Sequence, residues 1–152
     1  MIPITINGQQ YLVEEGKTLL RTAQELGITI PSLCDHPDLT PHGGCRLCDV
    51  EVKGLRNPVA ACTLPVSANM EVITETEDGK TNYFLKWCTH HKVDIQTRMR
   101  KEPKFKVDSD PNPFIRVDMN QCILCTRCIR ACAEIQGRFV WGMANRGIEN
   151  HI

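Results

Sequence analysis
Residues 34–62 read CDHPDLTPHGGCRLCDVEVKGLRNPVAAC, and their four cysteines decide how the surrounding chain must fold. The spacing is Cys34-x10-Cys45-x2-Cys48-x13-Cys62. Thiolates that hold inorganic iron must converge from a segment that folds back on itself. Pro37, Pro41, Gly43 and Gly44 suit such a wrapped, irregular path. Gly43 and Gly44 let the backbone approach the inorganic sulfurs closely, so that N–H groups can hydrogen-bond to them; these two are the expected cofactor-binding glycines. A C-x2-C pair such as Cys45 and Cys48 can reach one iron, with the two separated cysteines completing the site. The expectation is a [2Fe–2S] cluster on Cys34, Cys45, Cys48 and Cys62. Zinc also takes four cysteines, but usually as two C-x₂₋₄-C pairs, and only one such pair occurs here.

The sequence before this stretch supplies a scaffold. Ile2–Ile6 alternates, Asn7-Gly8 signals a hairpin and Gln10–Val13 reads as the return strand. Thr18 can cap a helix running to about Leu26, with Leu19, Leu20, Ala23 and Leu26 on one face and Gly27 as the stop. Beyond Cys45, Cys48–Val52, Val59–Cys62 and Glu71–Thr74 read as short strands. A hairpin, a helix, a cluster loop and further strands make a β-grasp order, the architecture of plant-type ferredoxins. Gly79–Arg100 carries Tyr83, Phe84, Trp87 and His91 at helical spacing. Lys101–Pro113, with Pro103, Pro111 and Pro113, reads as a linker, and Phe114–Val117 as a short strand.

A second constellation follows as Cys122-x2-Cys125-x2-Cys128-x3-Cys132. This spacing is that of bacterial ferredoxins and points to a [4Fe–4S] cluster held by Cys122, Cys125 and Cys128. Cys132 either closes the same cube or ligates a second one. Ala133 stands where a proline usually follows, and no second run precedes Ile152. Cys88, outside both groups, is either a distant ligand or a small buried hydrophobe. Arg127 and Arg130 flank the run, where positive charge would stabilise a reduced cluster unless both are simply solvated.

The 152 residues allow one ordinary domain or two small ones, and the balance of 18 basic and 18 acidic residues excludes the basic footprint of a nucleic-acid binder. Residues 1–8 offer no signal peptide, and no stretch is long and apolar enough for a membrane span. A cytoplasmic location is therefore the expectation. Cysteines in such a compartment favour metal over disulfides. No G-x-G-x-x-G fingerprint and no defensible catalytic triad or carboxylate pair occurs, which leaves substrate chemistry to partners.

The order of the two constellations resembles the N-terminal part of the large iron–sulfur subunit of respiratory complex I. It is similar also to regions of NAD-linked formate dehydrogenases and iron-only hydrogenases. The stretch from Asn120 through Cys122, Cys125 and Cys128 to Arg130, with Glu134–Gly137 and Val140-Trp141, looks nearest to the small diaphorase subunit of bidirectional NAD-linked hydrogenases. The resemblance implies a β-grasp domain, then a cluster bound by H-x3-C-x2-C-x5-C, then a ferredoxin-like domain that usually continues into a second cysteine run. Here His91 falls at the histidine, but Ile95 and Arg98 take the places of two cysteines. The histidine-ligated cubane is thus expected to be absent, with His90 and His91 as surface or interface residues.

The expected fold class is α+β. A β-grasp [2Fe–2S] domain spans 1–78, a helical segment and linker 79–113, and a partial bacterial-ferredoxin-like [4Fe–4S] domain 114–152. The expected function is single-electron relay between a flavin-containing NAD(P)H dehydrogenase subunit and a hydrogenase or formate dehydrogenase catalytic subunit. The alternatives are a free two-cluster ferredoxin shuttle, against which the zero net charge argues because shuttles are commonly acidic, and a zinc-binding structural module. A redox sensor is a further alternative, but no DNA-binding helix pair is present to serve one.

Overall fold
Asn7 and Gly8 both adopt positive φ, 51° and 80°, which is the type I′ turn that matches the twist of paired strands. They join β1 (Ile2–Ile6) to β2 (Gln9–Val13) in an antiparallel ladder with Ile2 opposite Val13 and Ile6 opposite Gln9. The computed structural model describes residues 1–74, 88–93, 105, 114 and 118–152. The chain divides into two units, Met1–Val93 and Asp94–Ile152.

In the first unit, α1 (Leu19–Glu25) starts at Thr18, whose hydroxyl accepts from the Arg21 N–H at 3.4 Å. It ends where the Ile28 N–H returns to the Ala23 carbonyl at 2.8 Å, past Gly27. Three further strands follow: β3 (Asp49–Val52), β4 (Val59–Ala60) and β5 (Met70–Ile73). The sheet order is β2-β1-β5-β3-β4. β5 runs parallel to β1, with Ile4 beside Met70, and antiparallel to β3. The α+β class expected from the sequence is thus present, with a hairpin, a helix and further strands in the expected order.

One face of this sheet meets the apolar side of α1. Ile4, Ile6, Val50 and Val72 from the strands pack with Leu19 and Leu20 from the helix, all essentially inaccessible to solvent. Full burial of one such side chain stabilises by about 1.5–3 kcal/mol. Cys48 and Cys62 lie in the same cluster, so the core and the candidate metal site share a wall.

The fourth strand expected from the sequence, Val59–Cys62, is shorter than its apolar run. Ladder pairing stops at Ala60, and Ala61–Thr63 turn instead, with the Thr63 and Leu64 N–H groups both donating to the Ala60 carbonyl. That turn carries Cys62 out of the pleat and next to Cys48. Of the other strands, β1 has the expected bounds, β2 and β3 differ by one residue at their start, and β5 is shifted by one residue towards the N-terminus. Of the helix expected over Gly79–Arg100, residues 88–90 are helical and Lys92, at φ 50°, ends the turn. Residues 79–87 and 94–100 of that stretch, the Lys101–Pro113 linker except Phe105, and Phe114–Val117 except Phe114 lie outside the described residues; Phe105 and Phe114 are bends.

The second unit is built from short turns. A 3₁₀ turn (Met119–Gln121) leads to an open loop, then α2 (Arg127–Arg130), which continues as a π-helical turn (Ala131–Ile135). A final 3₁₀ turn spans Gly147–Glu149, and Ala144 bridges His151. No residue from 118 to 152 with a described side chain is buried.

Candidate metal centres
The four N-terminal cysteines come together in two pairs. Cys34 sits in the loop after α1 and is buried; the Cys45 N–H points at its sulfur at 3.5 Å, and the two thiols hydrogen-bond. Cys48 immediately precedes β3 and Cys62 follows β4; both are wholly buried and their side chains hydrogen-bond. The sequence reading assigned the C-x2-C cysteines to one iron. The side-chain hydrogen bonds pair them differently, Cys45 with Cys34 and Cys48 with Cys62, and Arg46 between them takes a left-handed φ of 60°. A two-iron cluster asks for two thiolates on each iron, and this arrangement offers them as Cys34 with Cys45 and Cys48 with Cys62. Among the described residues, no three His, Cys, Asp or Glu side chains converge as one mononuclear ion would require.

The backbone is arranged for negatively charged sulfur. Backbone hydrogen bonds from Cys45 and Gly44 favour the Cys34 thiolate, and one from Cys62 favours that of Cys48. Burial nonetheless pushes Cys34 up and Cys48 up to about 12. Burial also acts against Cys45, but backbone hydrogen bonds at Leu47, Cys34 and Leu33 outweigh it and leave that thiol lowered. The raised Cys34 and Cys48 thiols need a cation to give up their protons, and the amide cradle and the four-thiol donor set fit an iron–sulfur cluster.

Gly43 holds φ +66°, and a Cβ there would come within 3.1 Å of the Thr63 methyl. The left-handed conformation costs an L side chain about 1–2 kcal/mol. Gly43→Ala is therefore expected to lower stability by about that amount, seen as an earlier urea midpoint; an unmoved midpoint would show that the loop relaxes freely. At Gly44 a Cβ would overlap the His42 ring, at 2.6 Å. Each expected cofactor-binding glycine thus sits where the backbone is tight.

Sequence reasoning missed two charged contacts around this loop. Arg21 on α1 reaches Asp35, the residue after Cys34, at 2.6 Å. Arg46 bonds Asp49 through both Nε and Nη2 at 3.1 Å and also reaches the Pro58 carbonyl. Burial raises the Asp49 carboxyl, with the Arg46 guanidinium acting the other way. The signal was present in the chain: each is an acid immediately after a cysteine with an arginine elsewhere in the unit.

In the C-terminal run, Cys122, Cys125 and Cys132 are half-buried and Cys128 is exposed on α2. The Leu124 N–H donates to Cys122 Sγ at 3.4 Å, and the Val140 N–H to Cys132 Sγ at 3.3 Å. Leu124 and Thr126 both take left-handed backbone, φ 56° and 61°. That conformation is rare for a leucine and rarer for a β-branched residue, and such strain collects at ligand clamps. Arg127 and Arg130 are half-buried rather than fully solvated. Cys88 is half-buried, while His90 and His91 are exposed and stack edge-to-face at 4.9 Å.

Two family models match the chain. A 2Fe-2S iron-sulfur cluster binding domain matches residues 1–77, and the ferredoxin-like domain of NADH-quinone oxidoreductase subunit 3 matches residues 112–152. Among curated relatives, an NADH-quinone oxidoreductase subunit of Streptomyces coelicolor is 30% identical over 97% of this chain and 21% of its own length. The 75 kDa subunit of NADH-ubiquinone oxidoreductase from Reclinomonas americana is 28% identical over 100% of this chain and 26% of its own length. The chain thus spans only a minor part of the length of these relatives. Among solved structures, an NAD+-reducing [NiFe]-hydrogenase in the H2-reduced state superposes with a TM-score of 0.76 at 26% identity, covering 99% of this chain and 73% of that one. The resemblance read from the cysteine pattern, and the two cluster types read with it, agree with these matches. Among the described residues, no helix is long and apolar enough to cross a membrane.

Proposed function
Because the chain belongs to the 2Fe-2S iron–sulfur cluster binding domain family, we propose that it is an electron-transfer subunit of a multi-subunit, NAD-linked redox complex. Its cofactors are one [2Fe–2S] and one [4Fe–4S] cluster, which accept and release single electrons when bound. Cys34 and Cys45 hold one iron of the first cluster and Cys48 and Cys62 the other. Gly43 and Gly44 hold the loop close to the cluster, and the Gly44 N–H faces the Cys34 sulfur. Cys122, Cys125 and Cys128 hold three corners of the cubane. Cys132 is its fourth ligand or a ligand of a second cubane. The working boundaries are 1–78 for the β-grasp domain, 79–113 for the connecting segment and 114–152 for the cubane-bearing segment.

The observation that carries this reading is the convergence of the N-terminal cysteines as two amide-lined pairs, beside a second cysteine run of cubane spacing in the same chain. Electrons enter from a flavin-containing NAD(P)H dehydrogenase subunit and leave to a hydrogenase or formate dehydrogenase catalytic subunit, in either direction, in the cytoplasm. The resemblance of the cysteine pattern and the hydrogenase likeness support that pair of partners. Neither nucleic acid nor a membrane span enters the scheme. Iron and acid-labile sulfide counting, with EPR on the anaerobically reduced protein, tests it. One signal of each cluster type is expected; a colourless, iron-free protein would sink the proposal.

A further inference from the structure
We propose that Arg21 and Asp35 act as a charge-matched pair that positions Cys34 and sets the reduction potential of the [2Fe–2S] centre; this rests on the assignment of Cys34 to that centre. Asp35 directly follows Cys34, and its carboxylate is only 5% exposed. A carboxylate so buried is costly unless a cation meets it. Arg21 meets it at 2.6 Å through Nη2, while its Nη1 donates to Gln24 Oε1 at 3.0 Å, which fixes the guanidinium against α1.

The same helix grips the opposite ligand segment. The Leu19 N–H donates to the Leu64 carbonyl at 2.7 Å and the Leu20 N–H to the Ala61 carbonyl at 3.0 Å, on either side of Cys62. α1 therefore holds the Cys62 segment through its backbone and the Cys34 segment through its charge. Reduction adds one negative charge beside Cys34. A bare carboxylate at that depth would oppose it, and its field would be poorly screened by salt. The Arg21 guanidinium offsets that field. The comparable pair of Arg46 and Asp49 sits nearer to solvent, with Arg46 52% exposed, so water screens it more.

A potentiometric titration of the cluster-loaded full chain, followed by EPR, tests the pair. Arg21→Gln should lower the potential of the [2Fe–2S] signal and Asp35→Asn should raise it. The double variant should return it towards the wild-type value, and Arg21→Lys should keep it. Opposite signs with mutual compensation are the mark of charge rather than of loosened packing. Titration of all variants with the wild type, or movement of both single variants in one direction, would overturn the inference. If Arg21→Gln fails to hold the cluster, a raised potential in Asp35→Asn with an unmoved Arg21→Lys still supports it, and an unmoved Asp35→Asn overturns it. A wild-type protein without any [2Fe–2S] signal removes the ligand assignment itself, whereas a normal wild-type signal with unshifted variants removes only the pair.

Discussion

Serine at position 48 is expected to abolish the [2Fe–2S] EPR signal of the reduced protein while leaving the [4Fe–4S] signal in place, and Cys125→Ser to do the reverse. Cys48 is wholly buried and shares the apolar cluster with Leu20 and Val50. A serine there places a hydroxyl where a cluster-bound thiolate belongs, and burying such a group imperfectly costs about 1–3 kcal/mol. The variant should therefore show a lowered melting temperature as well as the lost signal. Cys125 lies in the other unit, where none of the described side chains from 118 onward is buried, so its variant should lose the cubane without that penalty to the sheet. Survival of both signals in Cys48→Ser would refute the ligand assignment.

Stripping iron from the native protein should divide the chain into a part that stays folded and a part that does not. The first unit has a packed sheet-and-helix core, with Ile4, Ile6, Leu19, Leu20, Val50 and Val72 closed from solvent. The described residues from 118 onward bury none of their side chains, and Phe139 and Val140 stand at 75% and 76% exposure. A segment without a core draws its stability from the metal, as small metal-bound domains do. In the iron-free protein, amide protection in β1 and β5 should persist. Protection over Arg127–Ile135 should fall to that of an unfolded peptide. Equal loss in both regions, measured by hydrogen exchange, would show that the first core also depends on its cluster.

Much of the fold was legible because its signals are local. The Asn7-Gly8 turn, the Thr18 cap and the Gly27 stop each act over a few residues, and each is found where the residues place it. The cubane run was legible for the same reason, since its spacing is compact. What was hidden is nonlocal or conformational. Nothing near Ile4 announces that Met70 will lie beside it in a parallel ladder. The turn after Ala60 interrupts an apolar run that continues to Cys62, because the Cys48 partnership outweighs strand pairing there. The proximity of Cys45 and Cys48 along the chain suggested a shared iron, whereas their hydrogen-bond partners are Cys34 and Cys62, far along the chain from them. Leu124 and Thr126 likewise give no sign of positive φ, since side chains of their kind normally avoid it.

The parallel contact between the first and fifth strands also governs the order of events during synthesis. The amino-terminal hairpin can form as soon as it leaves the ribosome, but its inner edge has no neighbour until Met70–Ile73 emerge. All four cysteines of the first site are translated inside that interval. The nascent chain therefore presents every one of these thiols before the strand that seals the sheet arrives. The long separation between these paired strands, usually a penalty on folding speed, thus leaves the four thiols unsealed until the fifth strand is made.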